Sequence, residues 1–223
     1  MRSFEIWKYF LILLLVPALH GGESNEFARR PLDLPSGGRG ADSEDEEIPE
    51  TIVFYGDQYE GNAFFWVLDR SGSMMLGGRL DGLKEEMISA IDQLSSTAEF
   101  GMVSFSWDFD LFSPLPVRAT SHQRLAAAEW VHQLTPSGPT FLLQATEECL
   151  ALASMSHRNR RTMIIVGDGE PSGPGIAETL EGIISANAEM LPINTILVGD
   201  SNLGFDFFNT LAGLTGGNFR HHP

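Results

Sequence analysis

"FFWVLDRSGSMM" (Phe64–Met75) runs five apolar residues into an aspartate and then sets two serines at a spacing of two. The apolar half has no polar alternation. It reads as a strand buried on both faces, the kind found in parallel sheets covered by helices. The polar half, Asp69, Ser71 and Ser73, offers small oxygen donors at the strand's end. Three readings of it stand open: a strand-end turn, since Asp, Ser and Gly favour turns, a catalytic nucleophile, or a metal-holding loop.

Outward from this stretch the pattern repeats. "TIVFY" (51–55) is a short β-prone run, "GDQYEGN" supplies turn residues, and "AFFWVLD" (63–69) is the core strand, placed to pair with the first run as a hairpin. Leu80, Leu83, Met87, Ile91 and Leu94 then share one face of a helix. "FGMVSFS" (100–106) is a strand, and "FDLFSPL", with Pro114 and Pro116, suits a short antiparallel edge strand. Ser121 is placed as the N-cap of a helix reaching Leu134, and a further helix covers Phe141–Ser154. "TMIIVGD" (162–168) and "INTILVGD" (193–200) are two more apolar strands. Between them a helix is expected from Pro174 to about Met190. The last helix, Phe205–Leu214, stops at Gly216-Gly217, and "NFRH" is a final strand. Apolar strands alternating with helices predict an α/β fold: a three-layer, doubly wound, mostly parallel sheet with helices on both faces and one short antiparallel edge strand.

Upstream the composition changes. Arg2 and Lys8 precede "YFLILLLVPAL", eleven residues with a proline. That is short of the ~20 a spanning helix needs, and it fits the apolar core of a secretory signal peptide, with cleavage after Ala18. An uncleaved N-terminal anchor is the alternative. Residues 19–50 form an expected linker rich in Pro, Gly and acid, and 51–223 form the expected folded domain. With a signal segment and a single cysteine, the chain is expected to be exported, periplasmic or extracellular, without a disulfide framework. No membrane span is expected after cleavage. Cys149 lies among apolar residues at helical spacing and reads as a buried thiol.

The net charge of −16 and pI near 4.6 argue against nucleic acid as a partner, because phosphate neutralisation requires clustered Lys and Arg. The same balance is compatible with cations. Asp168 ends "MIIVG" as Asp69 ends its own strand. In open α/β sheets, ligands sit beyond the carboxyl ends of strands where strand order reverses. If these strands are neighbours, the two aspartates converge, and Thr140, in the Gly138-Pro139-Thr140 loop before a helix, is placed to reach the same crevice. Such hydroxyl and carboxylate oxygens suit a hard cation. Mg²⁺ prefers octahedral oxygen ligands, keeps waters and takes one or two carboxylates.

With these residues in view, "FWVLDRSGSMM" resembles the first motif of the von Willebrand factor A domain, whose metal-ion-dependent adhesion site has the pattern Asp-x-Ser-x-Ser. The resemblance covers about residues 60–222. Thr140 is similar to the second-loop threonine, and Asp168 in "VGDGEPS" to the third-loop aspartate, with glycine at 167 where threonine is common. The lead-in "FYGDQYEGNAFFWVLDRSGSM" also resembles exported bacterial members. The resemblance implies a metal set of Asp69, Ser71, Ser73, Thr140 and Asp168. In it Ser71, Ser73 and Thr140 touch the ion directly, and the aspartates often act through water. It implies Mg²⁺ (or Mn²⁺ or Ca²⁺) as cofactor and a protein partner whose Asp or Glu carboxylate completes the site.

An adhesion module, not an enzyme, is therefore expected. A metal-stabilised structural or regulatory module is the first alternative, and a hydrolase using Asp69 or Ser71 the second. Against the hydrolase, a phosphoryl-accepting aspartate would want a second carboxylate two residues on, where Ser71 stands. No Gly-x-Ser-x-Gly elbow and no Gly-Lys-Ser/Thr phosphate loop occurs. The histidines form no i, i+4 metal pair on a helix. His122 and His132 read as surface residues of one helix.

Overall fold

The computed structural model describes residues 48–223. The expected signal segment (1–18) and positions 19–47 of the expected linker lie outside the described residues. The chain runs β1 (Glu50–Phe54), β2 (Asp57–Gly61), β3 (Ala63–Asp69), a 3-10 segment (Gly72–Gly78) and α1 (Arg79–Gln93). It continues through β4 (Glu99–Phe105), β5 (Phe109–Leu111), β6 (Val117–Arg118), α2 (Ser121–Gln133) and α3 (Leu142–Ser154). It ends with β7 (Arg161–Gly167), α4 (Ile176–Ala186), β8 (Ile193–Val198), α5 (Asn202–Thr215) and β9 (Phe219–His222).

The main sheet is seven-stranded, in the order β5-β4-β3-β7-β8-β9, with β6 also on β4. β3 pairs in parallel with β4 on one side and β7 on the other, and β8 and β9 extend the parallel set. Every residue of β3 is buried, which is why its sequence lacks polar alternation. The pleat sorts its side chains. Phe64, Trp66 and Leu68 join the core under α1 and α2, and Ala63, Phe65 and Val67 join the core under α3, α4 and α5. Fully burying side chains of this size is worth roughly 1.5–3 kcal/mol each, so β3 anchors both layers. In α1 the buried positions Leu80, Leu83, Met87 and Ile91 form the expected stripe, with Leu94 at its end. No helix among the described residues is long and apolar enough to cross a membrane.

Several expectations shift. The hairpin joins β1 to β2, not to β3, and forms a separate two-stranded sheet. Its turn is Tyr55-Gly56, both at positive φ, the backbone that tight hairpins require. "DQYEG" is therefore strand and not turn. Two short strands, β5 and β6, rather than one, lie antiparallel on β4. Thr120, not Ser121, caps α2, its hydroxyl accepting the Gln123 N–H at 3.3 Å. Helix α4 begins two residues after Pro174 and stops at Ala186. There the Asn187 side chain takes over, donating to Leu191 O at 2.7 Å and accepting its N–H at 2.8 Å. That bracket turns the chain into β8. Cys149 is fully buried as expected.

Candidate metal centre

The chain leaves β3 to build β4 on one side and later places β7 on the other side of β3. Strand order thus reverses at β3, and the crevice beyond its carboxyl end is where such sheets hold ligands. Asp69 is the last residue of β3, and Asp168 immediately follows β7. Both are buried.

A chain of short contacts joins these residues. The Asp69 Oδ1 accepts the Ser71 backbone N–H at 2.6 Å, which folds the loop back over the strand end. The Ser71 and Ser73 hydroxyls lie 3.1 Å apart. The Ser73 hydroxyl donates to Asp168 Oδ1 at 2.7 Å. Ser71 is buried, whereas Ser73 is exposed and faces the crevice mouth.

Thr140 reaches the cluster through its loop. Gly72 N–H donates to Gly138 O at 2.8 Å, tying the second loop to the first. Ser172 clamps Thr140 from the β7 side, its hydroxyl accepting the Thr140 N–H and its N–H donating to Thr140 O. Thr140 is 8% exposed. Its hydroxyl makes no hydrogen bond to Asp69, Ser71, Ser73 or Asp168, so the link is through backbone. Gly138 has φ +67°, and a Cβ there would meet the Trp107 ring at 2.1 Å, so only glycine fits under that indole. Trp107 is largely exposed beside the site and packs edge-on to Phe141. Arg70, between the first two donors in sequence, bonds Asp108 and Asp110 at 2.9 Å each and Ser137 at 3.2 Å. It pins the first loop to its two neighbours.

Asp69 carries the electrostatic strain. Its Oδ2 is buried and has no hydrogen-bond partner. Burial pushes its pKa up to about 7; the Ser71 hydroxyl and amide pull it down, the Asp168 charge adds to the rise, and the Asp168 backbone amide offsets part of it. Buried carboxylate oxygens are almost always satisfied, and this one lies on the β7 side of the strand end, beside Gly167. Gly167 leaves the room. A Cβ there would stand 3.0 Å from Asp69 Oδ2 and from Phe208 Cζ.

Among the described residues no three His, Cys, Asp or Glu side chains gather as a metal site. This cluster conforms to that, since its acids are Asp69 and Asp168 alone and its other donors are hydroxyls. Such a set fits a hard, octahedral, partly hydrated cation such as Mg²⁺. It would not suit a softer ion, which prefers nitrogen or sulfur.

Sequence reasoning missed Arg79. Its guanidinium donates to Asp168 Oδ2 at 2.9 Å and lies over Gly199, where a Cβ would come within 2.5 Å of it. The signal was present. Arg79 is the first residue of α1, where a cation opposes the helix dipole and calls for another partner.

An open, mostly parallel α/β sheet flanked by helices defines a doubly wound, Rossmann-like fold. The chain belongs to the von Willebrand factor type A domain family, whose family model matches residues 63–221. It is 25% identical over 132 residues to inter-alpha-trypsin inhibitor heavy chain H4 of Bos taurus, covering 56% of this chain and 13% of that protein. Among solved structures, a von Willebrand factor type A protein from Catenulispora acidiphila superposes with a TM-score of 0.64 at 19% identity, covering 81% of this chain and 47% of that one. The vWF domain of the type V pili tip protein Mfa5 from Porphyromonas gingivalis gives 0.60 at 10% identity, covering 77% and 90%. The chain thus spans less than half the length of the first two of these relatives.

Proposed function

We propose that this domain binds another protein through a divalent cation held by Asp69, Ser71, Ser73, Thr140 and Asp168, with an acidic side chain of the partner completing the coordination. The observation that carries the reading is the buried Oδ2 of Asp69, without a hydrogen-bond partner, at the sheet's switch point beside the linked Ser71, Ser73 and Asp168 side chains. A resident Mg²⁺ would supply that oxygen's missing partner. Two carboxylates and neutral hydroxyls leave a dication short of ligand charge once Arg79 is counted beside Asp168. The ion then favours an anionic ligand from outside. Exposed Met75, Leu76 and Trp107 on the flanking loops favour a protein ligand, with apolar groups around its carboxylate, over a free small anion.

A hydrolase finds less support. The Ser71 hydroxyl is engaged by Ser73, and among the described residues no histidine bonds either serine to serve as base. The signal-like N-terminus supports export, and one fold relative is a pili tip protein.

The test is calorimetric titration with Mn²⁺. The wild-type domain should bind one ion, and Ser71→Ala with Ser73→Ala should lose that binding at least about tenfold while keeping its circular dichroism spectrum. Capture from the native cell envelope should then retain a partner in Mg²⁺ and release it in EDTA. Unchanged Mn²⁺ binding in the double variant, or a partner retained in EDTA, overturns the reading.

A further inference from the structure

We propose that Arg79 is a resident counter-cation of this centre: its guanidinium holds Asp168 when metal is absent and competes with the incoming ion for it, so that it sets how tightly metal binds. The inference rests on the metal-binding reading above and adds a residue outside its ligand set.

The geometry is specific. Asp168 has a side chain only 1% exposed, and its two oxygens are divided: Oδ1 accepts from Ser73, and Oδ2 takes the Arg79 guanidinium at 2.9 Å. Arg79 is 26% exposed, so the pair is shielded enough for charge to count. Arginine keeps its charge at every accessible pH. A dication arriving at Asp168 therefore meets a fixed positive charge already seated on that carboxylate. Like charges a few ångströms apart in a partly buried site cost several-fold to many-fold in affinity.

Two features mark the contact as built. Gly199, at φ +89°, carries no side chain, and a Cβ there would fall within 2.6 Å of three guanidinium atoms. The close approach of the β8 loop thus makes a slot for this side chain. Arg79 also sits at the start of α1, where the helix dipole disfavours a cation; the Asp168 pairing offsets that cost.

The side chain also has somewhere to withdraw. A cavity of about 380 Å³ opens beside it, lined by Tyr55, Gly77, Gly78, Gly82, Asp200 and His222. The Asp200 carboxylate there is exposed and, among the described residues, is met by the His221 ring at 3.7 Å. Two glycines at positive φ, Gly77 and Gly78, immediately precede Arg79, so no side chain from that turn fills the space. Metal at Asp168 displaces Arg79 toward Asp200, which lines this cavity next to Gly199, and its charge stays close to the site. Metal affinity is thereby held down until a partner's carboxylate supplies the missing negative charge. Loading and docking become coupled through a single side chain.

Mn²⁺ titration of wild type, Arg79→Gln and Arg79→Lys at low ionic strength tests this. Thermal melts in EDTA and in Mn²⁺ run alongside. Arg79→Gln should bind Mn²⁺ at least about fivefold more tightly than wild type. It should melt lower in EDTA, because Asp168 is then left buried with only Ser73, and should gain more from added Mn²⁺. Arg79→Lys keeps the charge and should stay within about twofold of wild type in affinity. Binding by Arg79→Gln when wild type binds none is the same result in its strongest form. Equal or weaker binding by a folded Arg79→Gln overturns the proposal and leaves the metal site standing, as does equal tightening by Arg79→Lys. No Mn²⁺ binding by any of the three overturns both.

Discussion

Asp69 is a carboxylate that burial holds in a state unlike its ordinary one. Its pKa rises from 3.8 to about 7. Because the folded value is the higher, the native metal-free protein keeps a proton that the unfolded chain has released. Between about pH 4 and 7, rising pH therefore removes stability through this group. A divalent ion reverses the balance by binding the ionised form and expelling the proton. Mn²⁺ affinity should accordingly fall as pH drops below 7, approaching about tenfold per unit while one proton competes. Titrations near pH 8, 6.5 and 5.5 measure this, and a flat profile counts against Asp69 as a ligand. The clustering of Asp69, Ser71 and Ser73 was legible in the sequence, because they stand at a spacing of two at the end of one strand. Arg79 was not, since its meaning depends on Asp168, 89 residues away, and on a glycine in a third loop.

Among the elements, α1 links the site to the hairpin. Its first residue holds Asp168. Further along, Glu86 accepts the Tyr55 N–H at 2.8 Å, and Gln93 exchanges two hydrogen bonds with Val53. Its buried stripe was readable from spacing alone, because period decides which side of a helix is dry. Met87, fully buried at the centre of that stripe, gives the element-scale prediction. Met87→Ala should cost roughly 2–5 kcal/mol, read as a lower urea midpoint, while the folded variant still binds one Mn²⁺. The hairpin was misread for a physical reason. In "DQYEG" only Tyr59 and Gly61 face inward, and its Gly and Asp look like turn residues. The true turn was hidden in Tyr55-Gly56, where a tyrosine takes a left-handed backbone that its type seldom adopts.

Across the whole molecule, fold class was legible because β3, β7 and β8 are buried over most or all of their length and are dominated by apolar residues on both faces, which helices on one side alone would not impose. The pairing of β3 with β7 was only conditional at that level, since nothing local in either strand names its neighbour. The net charge of −16 bears on this scale too. It draws cations toward the domain over distances that salt screens beyond about 8–10 Å. Raising NaCl from about 0.05 to about 0.5 M should weaken Mn²⁺ binding several-fold, and calorimetry in matched buffers checks it. The hairpin has one more consequence, and it is mechanical. Glu50 pairs with Gly61, close to where β3 begins, so both ends of the hairpin lie together. A pull on the chain upstream of Glu50 peels β1 from β2 one pair at a time, starting at the loaded end, instead of shearing every pair at once. The first bonds to yield are that of Ile48 O to the Asn62 side chain and then those of Glu50 to Ser95. Residues 50–61 then pay out on the order of 40 Å of chain at ~3.4 Å per residue. Only afterwards does tension along the backbone reach the amides of Asn62 and Ala63, which are anchored on Arg160 O. The hairpin is a fuse ahead of β3, and its bonds to Glu86 and Gln93 of α1 must also break before it is spent.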